Sequence, residues 1–165
     1  MLPHGILFRG GAEAKIRQGI LKDDLIEAVI GLAPNLFYGT GIPACVLIIN
    51  KNKETARQGK VLFVNGAEEM VEGKNQNTLS EANVTRLAKA FLAFNDEERF
   101  ARVVGLDEIA KNDYNLNIAR YVQTNEEEAL IDVAEEVRVL KELIEARDKA
   151  EATMLGFLDE LGYTK

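Results

Sequence analysis

Over the first two thirds of the chain, apolar residues gather in short compact runs; near its end they recur at intervals of three and four. Val29–Leu32 and Ala44–Ile49 are short, rich in β-branched residues and bounded by turn formers, which predicts two buried strands. Val61–Val64 predicts a third, and Arg102–Gly105 a short fourth. Ala12–Lys22 predicts a helix with Ile16, Ile20 and Leu21 on one face and Glu13 near its positive end. Ser80 with Asn83 introduces a second helix over Glu81–Asn95, striped by Val84, Leu87, Ala88, Phe91 and Leu92. Leu106–Lys111 reads as a helical turn. Met1–Phe8, with Pro3 and Gly5, reads as the tail of a strand or a loop whose upstream part is absent, and Arg9-Gly10-Gly11 as a hinge. Strands joined by one helix and short loops predict one edge of a larger α/β sheet.

The period changes after Asn125. Thr124 or Asn125 can cap a helix opening on Glu126, Glu127 and Glu128, favourable at the positive end of the dipole. Leu130, Val133, Val137, Leu140 and Ile144 follow at spacings of 3, 4, 3 and 4. The seam passes through the charged Arg147 and Glu151, then resumes at Met154, Leu158 and Leu161. This is a coiled-coil seam with a polar interruption, or two helices meeting near Ala146–Ala150. A helix of about 35 residues spans roughly 50 Å, too long to be covered by so small a body, so it wants a partner. Packing as a helical hairpin is the alternative.

Three loops stand out. Pro34, Asn35, Gly39, Gly41 and Pro43 separate the first two strands, with Phe37 and Tyr38 at the centre. Aromatics on a glycine-flanked loop at a strand end can stack on a nucleobase, or Phe37 can plug the end of the core. Glu72–Thr78 is polar. Asn112–Val122 (NDYNLNIARYV) suits turns whose asparagine side chains bond the backbone, and it reads as a well-pinned surface loop.

Composition narrows the classes. The 165 residues are 47% hydrophobic and 28% charged, ordinary for a folded soluble chain. No apolar run approaches the roughly 20 residues of a membrane span, and the N-terminus has no secretory pattern. The net charge of −7 is uneven: the first sixty residues carry 8 Lys+Arg against 5 Asp+Glu, and residues 126–165 carry 5 against 12. Phosphate neutralisation needs clustered Lys and Arg, so nucleic acid is met through the first third or with a partner's help. Cys45 is the only cysteine, which excludes an intramolecular disulfide and reads as a buried thiol; a reducing cytoplasm fits. His4 is the single histidine, so neither a metal set nor a Ser–His–Asp set assembles around it, and neither the P-loop nor G-x-G-x-x-G occurs.

Four stretches together carry a resemblance. LPHGILFRGGAEAKIRQGIL, AVIGLAPNLFYGTGIPACVLIINK, GKNQNTL and EIAKNDYNLNIARYV, in that order, resemble the modification subunit of type I restriction–modification systems, an N6-adenine DNA methyltransferase. The resemblance extends from Leu2 to the closing LDELGY. It implies a class I methyltransferase fold that uses S-adenosylmethionine, of which residues 1–122 form the C-terminal part, an incomplete mixed α/β sheet, and 123–165 a region of long C-terminal helices. The family's glycine-rich cofactor loop and its Asn-Pro-Pro-Phe segment do not occur here, so the resemblance assigns no catalytic residue, and the chain alone is expected neither to hold S-adenosylmethionine nor to transfer a methyl group.

What the resemblance does place here is the loop of Phe37, whose aromatic in the family stacks on the flipped adenine, with Tyr38 as a neighbour able to substitute. Arg9 and Arg17 are candidate DNA-phosphate contacts on charge alone, against solvated or salt-bridged arginines. The seam Leu130, Val133, Val137, Leu140, Ile144, Met154, Leu158 and Leu161 resembles the family's partner-binding helices. The implied partners are the specificity subunit, the restriction subunit and, through the complex, DNA. An isolated chain is expected to self-associate through an exposed sheet edge or the long helix. The alternative function is a non-catalytic, free-standing interaction module that docks on the specificity subunit or on itself.

Overall fold

In a computed structural model, residues 1–122 and 133–163 are described, with side chains in the second stretch from Val137 onward. The chain divides into two compact units, Met1–Thr124 and Asn125–Lys165. In the first, strand β1 (Leu2–Pro3) leads through a 3-10 turn (His4–Leu7) and helix α1 (Ala12–Lys22) into β2 (Ile26–Leu32). β3 (Ala44–Ile49) returns antiparallel to β2. A polar connection then reaches β4 (Lys60–Gly66), which lies parallel to β2 on its other side. Helix α2 (Glu81–Ala93), β5 (Ala101–Gly105), antiparallel to β4, and α3 (Leu106–Lys111) complete the regular elements of this unit. The sheet order β1-β3-β2-β4-β5 makes β2 central.

Every residue of β2 is buried, which is why this strand reads as a continuous apolar run instead of alternating. Glu27 is its one charge. The register slips between Ile26 and Ala28, and the Glu27 carboxylate meets the Arg57 guanidinium at 3.1 Å and accepts from Asn50 Nδ2 at 3.0 Å. A buried carboxylate without such partners costs on the order of several kcal/mol. The same guanidinium lies over the Phe94 ring, 4.6 Å from its centroid, and so ties the β3–β4 connection to the end of α2.

Successive strand residues serve opposite faces. Val29, Val61, Phe63 and Val104 face a cluster with Leu7, Leu21, Ile109, Leu116, Ile118 and Tyr121; Ala28, Ile30, Leu62 and Val64 face Leu87 and Ala90 of α2. The Asn112–Val122 stretch is therefore pinned as its asparagines suggest, but it is a core layer and not a surface loop. Leu116, Ile118, Tyr121 and Val122 are buried, and Tyr121 stacks on Phe63 at 4.3 Å. Two helix faces also differ from the periodicity. In α1 the buried residues are Arg17 and Leu21, with Ile16 exposed; in α2 they are Leu87 and Ala90, with Val84 and Leu92 exposed. Ser80 and Asn83, expected to introduce α2, do so as a capping box: Asn83 N–H donates to Ser80 Oγ at 3.2 Å, and Ser80 N–H donates to Asn83 Oδ1 at 3.0 Å.

In the second unit, α4 (Val133–Glu160) is one continuous helix of 28 residues, about 42 Å long. No break falls near Ala146–Ala150, so the polar interruption of the seam is the correct alternative there. Gly162, at φ 75°, ends it with Gly162 N–H donating to Asp159 C=O and Tyr163 N–H to Leu158 C=O, a Schellman cap.

Candidate functional site

The loop between β2 and β3 starts from the buried Ala33 and carries Asn35 at φ 58°. Leu36 packs against the cluster beneath α2 and so fills the end of the core. Phe37 belongs to neither apolar cluster and is 38% exposed; Tyr38, next to it, is 93% exposed. The two aromatics sit on a tight turn closed by Thr40 N–H donating to the Phe37 carbonyl at 3.4 Å. Gly39 stands at φ 74°, as the third position of a type II turn requires. Thr40 Oγ1 accepts from Ile42 N–H at 3.1 Å and steadies the return.

A second loop lies against the first. Val71 and Thr78 exchange backbone hydrogen bonds of 2.7 and 3.0 Å, which makes Glu72–Asn77 a closed polar loop. Its amides reach the aromatic loop: Asn77 Nδ2 donates to Pro34 C=O at 3.0 Å, Asn77 N–H to Asn35 C=O at 2.9 Å, and Gln76 Nε2 to Leu36 C=O at 2.7 Å. Asn35 Nδ2 answers with a longer bond to Asn75 C=O at 3.4 Å. Gln76 and Asn77, within the polar stretch Glu72–Thr78, are the residues that hold the aromatic loop, and the sequence does not single them out. The signal present is the density of amides in KNQN, which have donors to spare for carbonyls of a neighbouring turn.

The two arginines go to different places. Arg9 is on the surface, 4.0 Å from Glu13. Arg17 is only 8% exposed, and its guanidinium donates to the carbonyls of Tyr114 (2.8 Å), Ile6 (2.8 Å) and Arg9 (3.1 Å). Burial pushes its pKa down, with Glu13 opposing. A buried guanidinium so engaged is an internal brace, with little left to present to a phosphate. Cys45 is fully buried and burial pushes its thiol up; His4, half-buried, is pushed down by the same cause.

Along the seam, Val137, Leu140, Ile144, Met154 and Leu161 are exposed and Leu158 is half-buried. Leu130 and the side chain of Val133 lie outside the described residues, as do the capping positions Thr124 and Asn125 and the acidic run Glu126–Glu128.

Leu2, Ile6, Ile16, Ile20, Leu47 and Ile49 help line a hollow of about 270 Å³ beside α1 and β3. Its charged lining residues are Glu13 and Arg17, and the latter is spent on carbonyls. Such walls do not fit S-adenosylmethionine, whose amino-acid end is zwitterionic and needs convergent polar partners. Among the described residues no group of three or more His, Cys, Asp or Glu is placed to hold a metal ion, and no helix is long and apolar enough to cross a membrane.

An open mixed sheet, flanked by helices and with aromatics on a loop at a strand end, defines the class that comparison identifies. The chain belongs to the N-6 DNA methylase family, whose model matches residues 1–129. Its similarity is to methylase subunits of type I restriction enzymes in particular. It is 42% identical over 164 residues to the MjaVIII methylase subunit of Methanocaldococcus jannaschii, covering 98% of this chain and 28% of that protein. To the MpnII methylase subunit of Mycoplasma pneumoniae it is 33% identical over 129 residues, 78% of this chain and 23% of that protein. The crystal structure of a type I restriction-modification methyltransferase subunit from Streptococcus thermophilus superposes with a TM-score of 0.70 at 44% identity, over 75% of this chain and 26% of that one. The M protein of EcoKI, at 17% identity and a TM-score of 0.54 over 94% of this chain and 40% of that one, shares the fold. The fold is that of class I methyltransferases, and the chain spans 28% of the length of the MjaVIII and MjaVII methylase subunits.

Proposed function

We propose that this chain supplies the target-base side of a type I adenine-N6 DNA methyltransferase, with Phe37 stacking on the adenine turned out of the duplex and Tyr38 beside it. A paired adenine holds its N6 amine in a hydrogen bond inside the stack, so the base must leave the duplex before the amine can be methylated. The observation that carries this reading is the division of labour in the loop: Leu36 fills the core end, and Phe37 stays outside it, partly open to solvent. S-adenosylmethionine supplies the methyl group, and in this reading its seat lies on other residues of the methyltransferase.

Residues 1–122 serve the base, and 123–165 serve assembly. The exposed seam of α4 docks on the specificity subunit, through which DNA and the restriction subunit are engaged, and Arg9 is the remaining candidate for a phosphate. Phe37→Ala, placed in the assembled methyltransferase, is expected to cut methylation of duplex DNA about ten- to a hundredfold, the worth of one stacked base. Cofactor binding should stay within about twofold of wild type. Parallel loss of methylation, cofactor binding and folding would return Phe37 to a packing role.

The exposed apolar seam favours a second reading, a non-catalytic interaction module that docks on the specificity subunit or on a second copy. The two readings separate on Phe37→Ala: a module loses no assembly and no activity with it.

A further inference from the structure

We infer that Gln76 and Asn77 are positioning residues that clasp the aromatic loop and fix Phe37 for base stacking. This rests on the stacking role proposed above. Pro34, Asn35 and Leu36 are the three residues that immediately precede Phe37, and the carbonyl of each is held by the opposite loop: Pro34 by Asn77 Nδ2, Asn35 by Asn77 N–H, Leu36 by Gln76 Nε2. Three consecutive peptide planes so held leave the Cα–Cβ bond of the next residue little freedom of direction. Apart from Leu36 packing against the core, the holds described on Pro34–Leu36 come from this second loop, and a loop spanning Ala33–Pro43 would otherwise sample many arrangements.

The clasp is itself braced. Gly73 N–H donates to Asn77 Oδ1 at 3.4 Å, and the Val71–Thr78 bridge closes the loop behind it. Gly73 approaches so closely that a Cβ built there would lie 2.0 Å from the Gln76 carbonyl oxygen. No side chain fits at 73 without displacing the backbone of the very residue that holds Leu36. Stacking needs a ring held to about half an ångström, which a mobile loop does not give and this amide lattice does.

The test uses the assembled methyltransferase bearing this chain, with 2-aminopurine in place of the target adenine for fluorescence and adenine for activity. Gln76→Glu and Asn77→Asp keep side-chain size and remove the two side-chain donors, those to Leu36 and Pro34, leaving the Asn77 N–H bond to Asn35 in place. Each is expected to lower kcat/KM on fully paired duplex about tenfold and to reduce the flipping signal, with cofactor affinity unchanged. On a duplex whose target adenine faces a mismatch, where extrusion costs less, the loss should shrink to about twofold. A purely structural role would lower both substrates equally, and that result overturns the inference, as does wild-type behaviour of both variants. If Phe37→Ala is itself without effect on fluorescence and activity, the stacking reading falls. If Phe37→Ala is impaired and the clasp variants are not, the clasp alone falls.

Discussion

A charged residue predicted at a surface can turn out to be held inside a fold, and Arg17 is that case here. Its neighbours in helical spacing are Glu13, Ile20 and Leu21, so at 100° per residue Arg17 falls on the apolar face between Ile20 and Leu21, and only its charge argues for the surface. The charge is accommodated there because three carbonyls, of Ile6, Arg9 and Tyr114, converge on this face of α1, and the guanidinium donates to all three. None of those acceptors is near Arg17 in period, and one is 97 residues away. Arg17→Met should therefore lower stability by about 2–4 kcal/mol, since the carbonyls are left unpaired as well as the bonds lost. A urea midpoint for the purified chain measures this; an unchanged midpoint would remove the brace. Cys45 gives a smaller prediction in the other sense. Its thiol is buried and its pKa raised, so the neutral form is favoured in the fold and stability declines as pH rises through the thiol's ordinary range. In the folded chain iodoacetamide should label it only at the rate of unfolding, and immediate labelling at neutral pH would contradict the burial.

Elements were more legible than faces. Ala12–Lys22, Ala44–Ile49 and Leu106–Lys111 form at the bounds that caps, glycines and apolar runs define, because those are local signals. β2 starts earlier than its apolar core, at Ile26, since the buried Glu27 hides the beginning of the strand and finds its partner on a loop 30 residues on. Tertiary context likewise decides that Leu87 and Ala90 of α2 go in while Val84 and Leu92 stay out. The loop of Phe37 is visible as a glycine-flanked pair of aromatics, but the amides that hold it come from a segment some 40 residues later, a pairing no periodicity reports. α4 offers a prediction at this scale. Its seam is interrupted at Arg147 and Glu151, so in the docking role proposed above the apolar stretches before and after would act as separate anchors. Leu140→Asp should abolish capture by the specificity subunit, placing a charge where a knob is required. The urea midpoint of the first unit should not move. Retained capture would assign assembly to another surface.

At the scale of the molecule, the two edges of the sheet are covered to different extents. β5 pairs with β4 from Lys60↔Gly105 to Val64↔Ala101, and its own outer edge is met by Glu97, which exchanges backbone hydrogen bonds with Ala101, and by Asp96, whose Oδ1 accepts from Val103 N–H. On the opposite side β1 pairs only with Ala44 and Cys45 of β3, so Val46–Ile49 continue beyond it as an uncovered edge. Natural edges of this kind carry lysines, prolines or bulges against unwanted pairing, and Val46-Leu47-Ile48-Ile49 has none of them. The apolar hollow lies beside the same edge, with Leu47 and Ile49 in its wall and the exposed Ile16 at its margin. Backbone groups that lack strand partners and side chains that lack cover therefore coincide, and both are satisfied by one added strand with an apolar face. The purified 165-residue chain should accordingly be a dimer or larger by light scattering at tens of micromolar, well above its 18.3 kDa monomer mass. Leu47→Lys places a charge in the hollow beside the edge and should shift the population toward monomer without unfolding it. Leu140→Asp tests the long helix as the competing contact, and whichever substitution restores the monomer identifies the surface. A monodisperse monomer of the unsubstituted chain would mean that this edge is already protected, and the self-association argued from it would be wrong.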